Sequence, residues 1–235
     1  MEEELPLITV ILSILILASY LFTSSNLKYY EYLFGFVPSR PTLFSLISYT
    51  FIHVDVIHLV GNLVVLIIAG LAIEKYVGRI PFISIYISSG CIAAIFDILS
   101  RVLLGIPTNL PFVGASGAIF GLIAVAALAK PMEKIPTILV VLTLLPLVEL
   151  GIGLPMFADE KVFFTVMILS ASLVVIAVYI LPRSLPVFVA TLLFIFSWII
   201  FLAFNLPTST SNIGHLGGMI GGFICMFAFP RSSKT

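Results

Sequence analysis

A single serine, Ser116, stands where an apolar helix is predicted to begin. Pro111 lacks an amide hydrogen and Gly114 has high backbone entropy, so neither favours a helix that runs through it. From residue 115 to 129 the chain has no charge and no strongly polar group except Ser116 itself. The helix should therefore begin near Ser116, with unpaired backbone N–H groups beside the hydroxyl. A nucleophile next to such anion donors is typical of acyl-transfer chemistry.

Three more polar side chains lie at the starts of two other apolar runs. His58 and Asn62 are four residues apart, hence on one helical face, and both can donate a hydrogen bond. His215 lies among glycines that would let its helix approach a neighbour closely. Polar side chains at membrane depth are costly unless paired, and they often mark function.

Together these residues predict a serine-dependent site. Ser116 would be the nucleophile and His215 the general base. The oxyanion donors would be the Ser116 N–H and the side chains of His58 and Asn62. Taken singly, the serine could instead bond to its own helix and each histidine could make a structural bond between helices. Their shared position at helix starts favours catalysis.

The composition places this site in a membrane. The chain has 235 residues, of which 61% are hydrophobic and 9% charged, and its mean hydropathy is +1.26. No soluble domain of this length has such a composition, so we predict an integral membrane protein in a lipid bilayer. The net charge is zero and no basic stripe suggests nucleic acid. Cys91 and Cys225 lie inside apolar runs, which predicts neither a disulfide nor a metal site.

Apolar stretches predict an all-α, polytopic membrane helical bundle with about eight transmembrane helices. The serine helix, at about 14 residues, would reach only ~21 Å against a hydrocarbon core of ~30 Å, so one of its ends must lie within the bilayer. The stretches are approximately residues 5–22, 56–72, 80–98, 115–129, 135–150, 162–181, 187–206 and 213–229.

Basic residues orient these spans. With eight crossings and a cytoplasmic N-terminus, seven Lys and Arg residues face the cytoplasm and four face the opposite side. This distribution agrees with the positive-inside rule. Both termini would then be cytoplasmic, and the helix starts that carry His58, Ser116 and His215 would open toward the outer face.

Four motifs resemble those of the rhomboid family of intramembrane serine proteases. They are His53-x4-His58-x3-Asn62, Gly70-Leu-Ala-Ile-Glu74, Gly114-Ala-Ser116-Gly-Ala-Ile-Phe-Gly121 and Gly214-His215-Leu-Gly217-Gly218. The resemblance covers about residues 44–129 and 212–229, and it implies a single integral membrane domain with a six-helix core. It also implies an enzyme that needs no cofactor and cleaves single-pass membrane proteins near the outer end of their transmembrane helix. We expect it in the plasma membrane.

The resemblance further assigns roles to individual residues. Those matching Ser116 and His215 form a dyad of nucleophile and base without an aspartate. The oxyanion hole is lined by the residues matching His58 and Asn62, and the one matching His53 is a structural partner nearby. The oxyanion and structural positions are thus His58, Asn62, His53 and Gly114.

The chain departs from the family pattern at three places. Phe44-Ser45 replaces the usual Trp-Arg pair of the first loop, and Phe120 stands where a tyrosine often stacks on the base histidine. Between Ser116 and His215 lie 98 residues, enough for three helices where the simplest members have one. We therefore predict an inserted helix pair within about residues 135–206, or an insertion that contains a re-entrant segment.

Two other functions are compatible with these residues. An inactive rhomboid-like protein would bind membrane clients without cleaving them, although such proteins usually lack the nucleophile or the base. A small transporter would line a polar pathway with a broken helix, and would need more charged residues than Asp97 and Glu149. An α/β-hydrolase is disfavoured because Ala118 stands where the nucleophile elbow requires glycine.

Overall fold

Helices make up most of the described chain. The computed structural model describes residues 5–132, 134–137, 182–189, 191–193, 195 and 211–228, which fall into two compact units, residues 1–130 with 210–235 and residues 131–209. The helices of the first unit are α1 (Leu7–Thr23), α2 (Leu27–Phe34), α3 (Ser45–Ser48), α4 (Val56–Val77), α5 (Arg79–Leu104), α6 (Ser116–Ala129) and α7 (Ser211–Ala228).

The serine helix α6 forms the core of the first unit. Ten consecutive residues, Gly117 to Ala126, are buried, because α4, α5 and α7 all pack against α6. A helix that is apolar on every face is stable in such a surrounded position. The predicted start near Ser116 and end at Ala129 are confirmed.

Three helical segments in the described residues are long and apolar enough to cross a membrane: Leu7–Phe34, Val56–Val77 and Arg79–Leu103. The helices Ser116–Ala129 and Ile213–Ala228 are apolar but shorter. These five segments correspond to five of the predicted spans. The other three, between residues 135 and 206, lie almost entirely outside the described residues, so the inserted helix pair stays a prediction.

A buried carboxylate joins α1 to α4. The sequence predicted that this span ends at about residue 72, but α4 continues to Val77, and Glu74 is only 3% exposed. The Glu74 carboxylate accepts hydrogen bonds from the Ile8 N–H at 2.8 Å, the Thr9 N–H at 2.8 Å and the Thr9 hydroxyl at 2.6 Å. It therefore caps the N-terminus of α1, whose first N–H groups have no helical partner.

The segment between α1 and α4 contains the short helices α2 and α3 and the 3-10 turn Tyr49–Phe51. At Phe44-Ser45, where the resemblance implied a Trp-Arg pair, Thr42 and Ser45 exchange hydrogen bonds. The Ser45 N–H donates to the Thr42 hydroxyl at 3.0 Å and the Thr42 N–H donates to the Ser45 hydroxyl at 3.1 Å. This reciprocal cap closes the loop locally, without a long basic side chain.

In the second unit, β1 (Lys134–Pro136) pairs antiparallel with β2 (Ser184–Pro186), with Ile135 opposite Leu185. The sequence did not predict this pair. Both strands end in proline, which cannot donate to a further ladder bond.

Candidate active site

A tight backbone turn delivers Ser116 to the start of α6. Gly114 has φ +114°, a conformation that residues with a Cβ rarely adopt. A Cβ at this position would also lie 2.6 Å from Cε1 and 2.8 Å from Nε2 of His58. Gly114 is therefore required twice, once for the turn and once for the close approach of the His58 ring.

The hydroxyl of Ser116 meets the ring of His215 across the α6–α7 contact. His215 Nε2 and Ser116 Oγ are 2.7 Å apart, within hydrogen-bond distance. His215 is 3% exposed, and its ring lies 4.6 Å from the Phe120 ring, centroid to centroid. The Phe120 ring thus packs against the histidine ring at a tilt of 36°, at the position where the resemblance implied a tyrosine.

Two glycine pairs allow this approach. A Cβ on Gly218 would overlap the Gly117 carbonyl oxygen, and a Cβ on Gly222 would overlap the Gly121 carbonyl oxygen. The backbones of α6 and α7 are therefore in direct contact, as expected of small-xxx-small packing. Because Gly117 and Gly218 are close neighbours of Ser116 and His215 in sequence, this contact sets the separation of the two side chains.

The backbone donors before Ser116 are already occupied. The Gly114 N–H donates to the Tyr49 carbonyl at 3.0 Å, and the Ala115 N–H donates to His53 Nε2 at 3.4 Å. The first hydrogen bond of α6 runs from Ile119 to the Ala115 carbonyl. The N–H groups of residues 116 to 118 precede it and have no carbonyl of their own helix to bind, so Ser116 is the first residue whose N–H is open to an anion.

His53 belongs to the loop before α4, outside the spanning helices. Burial, and after it the neighbouring His58 ring at 5.0 Å between centroids, lower the pKa of His53 to about 3. The ring is therefore neutral near pH 7 and can accept the Ala115 N–H. This contact ties His53 to the loop that precedes Ser116.

His58 lies over Gly114, at the first turn of α4. The backbone N–H of His58 donates to the Asp55 carboxylate at 2.7 Å, and Asp55 thereby caps the helix. The Nδ1 of His58 is buried and has no hydrogen-bond partner among the described residues. Such orphaned polar atoms are rare in folded proteins and call for an explanation.

Asn62 lies one turn after His58 and is 6% exposed. Its Nδ2 donates to the His58 carbonyl at 3.0 Å. The side-chain amide has two protons, so one is used inside α4 and the other is available to a ligand.

Tyr49 is a site residue that the sequence did not reveal. Its carbonyl holds Gly114, and its hydroxyl donates to the Gly90 carbonyl of α5 at 2.7 Å. Tyr49 thus ties the serine loop to α5. An aromatic residue in a segment rich in rings gives no sequence signal for this role.

Comparison with known families places the chain in one of them. A protein-family model, the Rhomboid domain, matches residues 40–162, more than half of the chain. The chain belongs to the rhomboid family. A search of curated proteins returned no match, and neither did a search of solved structures. This rhomboid is an integral membrane protein with a helical bundle fold, and the match includes His53, His58, Asn62 and Ser116 but ends before His215.

Proposed function

We propose that this rhomboid is an intramembrane serine endopeptidase with a Ser116–His215 dyad. The observation that carries the proposal is the 2.7 Å separation of Ser116 Oγ and His215 Nε2, which joins residues 99 positions apart in the chain. A serine hydroxyl becomes a nucleophile when a neutral histidine can take its proton. That requires the His215 tautomer with its proton on Nδ1.

In the first half of the reaction, Ser116 Oγ attacks the carbonyl carbon of the scissile peptide bond while its proton moves to His215 Nε2. The C–N bond of the tetrahedral intermediate then breaks, and His215 gives the proton to the leaving amine. In the second half, His215 takes a proton from water as the water oxygen attacks the acyl carbon. The C–O bond to Ser116 in the second tetrahedral intermediate then breaks, and His215 gives this proton to Ser116 Oγ while the acid product leaves.

The negative oxygen of each tetrahedral intermediate needs fixed donors. We assign the Ser116 N–H as the first, because the two preceding N–H groups are occupied. The second donor is the His58 imidazole, with a proton on its unpartnered Nδ1. The third donor is the second proton of the Asn62 amide. Each such donor typically contributes about 3–4 kcal/mol to transition-state stabilisation.

The substrates we propose are single-pass membrane proteins, cut near the outer end of their transmembrane helix. The short α6, at 14 residues, spans only ~21 Å, so Ser116 would lie below the membrane surface. The excess of basic residues predicted on one side supports cytoplasmic termini and a site open toward the outer face of the plasma membrane.

The test is cleavage of a labelled single-pass substrate by the purified protein in liposomes. Ser116→Ala and His215→Ala should each abolish cleavage and fluorophosphonate labelling while leaving the melting temperature near that of the unmodified chain. Ser88→Ala, on α5, is a matched serine control that should retain both activities. Absence of cleavage and of labelling in the unmodified chain would instead favour an inactive rhomboid-like protein that binds membrane clients.

A further inference from the structure

An apolar cavity lies away from Ser116. It has a volume of about 450 Å³ and is lined by the end of α1, Phe34 of α2, α3 and the turn that follows α3. This volume falls within the range of roughly 300–1,000 Å³ that small-molecule sites occupy. None of its lining residues belongs to α6 or α7, so an occupant would not touch the dyad.

The wall of this cavity presents carbon rather than polar atoms. Two of its three hydroxyl side chains donate to backbone carbonyls, Thr23 to Ser19 at 2.9 Å and Ser48 to Phe34 at 2.6 Å. The donor protons of these two hydroxyls are therefore engaged, and the other lining residues apart from Ser19 are aromatic or aliphatic. The site therefore suits an apolar occupant.

Aromatic rings surround the cavity. Successive ring centroids from Phe22 to Tyr30, Phe34 and Phe44 are 5.1, 5.8 and 6.1 Å apart. Phe22 and Phe44 are 62% and 63% exposed. Phe22 and the other α1 residues of the lining belong to the apolar segment Leu7–Phe34, which is long enough to cross a membrane, so we expect lipid beside the cavity.

We propose that this cavity binds one acyl chain of a membrane phospholipid. An empty cavity would leave its wall without dispersion contacts on one side, and acyl chains are the apolar groups at hand. A client transmembrane helix is the less favoured occupant, because a client must reach Ser116 on α6, and α6 does not line this cavity. The chain would pack against α3 and the turn after it, where the Tyr49 carbonyl holds Gly114, and would thus stiffen the segment that supports the serine loop.

The experiment uses the full chain in phosphatidylcholine vesicles that contain a phosphatidylcholine with a diazirine in the middle of one acyl chain. After illumination, the cross-linked peptides are mapped by mass spectrometry. We expect cross-links concentrated in the peptides that contain residues 19–23 and 44–52. Ser19→Phe should fill the cavity and reduce their yield several-fold, whereas Ala18→Phe, which adds the same ring one position away outside the cavity lining, should not.

Ile47→Trp fills the cavity from the opposite wall and replaces Ser19→Phe if that variant does not fold. Equal yields in a folded filling variant and in Ala18→Phe would overturn the proposal, as would cross-links spread evenly over the exposed faces of α1 and α4. Displacement of the lipid cross-links by a single-pass peptide would assign the cavity to polypeptide clients instead. Because cross-linking needs no proteolysis, its outcome is independent of the proposed enzymatic function.

Discussion

Replacing Gly218 by alanine should separate the helices that hold Ser116 and His215. The new Cβ would lie 2.8 Å from the carbonyl carbon and 3.2 Å from the Cα of Gly117, and would overlap the carbonyl oxygen. The obstructing atoms belong to the backbone of a helix, so they cannot rotate away as a side chain can. Relief requires α7 to move from α6.

The size of this movement follows from the contact distances. Non-bonded carbon atoms prefer roughly 3.5–4.0 Å, so α7 must shift by about 1 Å. The same shift would lengthen the 2.7 Å contact between Ser116 Oγ and His215 Nε2 beyond a normal hydrogen bond. A displacement of about 1 Å at reacting groups can cost ~100-fold in rate, and overpacking costs about 1–3 kcal/mol of stability.

The assay is the rate of fluorophosphonate labelling at Ser116 in detergent, measured together with the melting temperature. Gly61→Ala is the matched control, because it makes the same change inside a helix where a Cβ would have no atom within 4 Å. Alanine favours a helix over glycine by about 1 kcal/mol, so this control should lose neither stability nor labelling. Gly218→Ala should label about 100-fold more slowly and melt at a lower temperature.

Two results would refute this reasoning at different steps. Labelling and melting both unchanged in Gly218→Ala would contradict the direct backbone contact between α6 and α7. A lower melting temperature with unchanged labelling would confirm the contact but show that the dyad tolerates the displacement. Gly222→Ala, whose Cβ would overlap the Gly121 carbonyl, should lower stability with a smaller effect on labelling, because it lies farther from the dyad.

Three further substitutions test other parts of the first unit. His58→Ala should lower kcat by about 10²–10³-fold through loss of an oxyanion donor, with melting little changed; full activity would exclude His58 from that role. Glu74→Gln should cost about 1.5–3 kcal/mol of stability because an amide replaces the charged acceptor of the Thr9 and Ile8 donors, seen as a lower melting temperature than in Lys75→Gln. Asp97→Asn would replace the buried carboxylate that Arg101 contacts at 2.7 Å by an amide, and loss of this charged hydrogen bond should cost about 1.5–3 kcal/mol; an unchanged melting temperature would show that the ion pair is dispensable.

Local signals in the sequence were sufficient to place α6. Gly114 and Pro111 stop a helix before Ser116, and Lys130 follows its last residue, so the predicted bounds agree with Ser116–Ala129. The end of α4 was predicted less well. A charged residue such as Glu74 normally ends an apolar span. Here its carboxylate accepts hydrogen bonds from Thr9 and Ile8, which lie about 65 residues earlier in the chain. The sequence around Glu74 gives no signal of these distant partners.

The sequence by itself determined which groups the site contains, namely a serine at a helix start, histidines on two other helices, and glycines that make thin helix faces. Only the tertiary structure decided how they meet. The contact of Ser116 with His215 and the occupation of the Gly114 and Ala115 N–H groups depend on packing between distant segments. The physical reason is that hydrogen-bond distances are set to tenths of an ångström by helix contacts, whereas residue type and periodicity constrain only which face of each helix is turned inward.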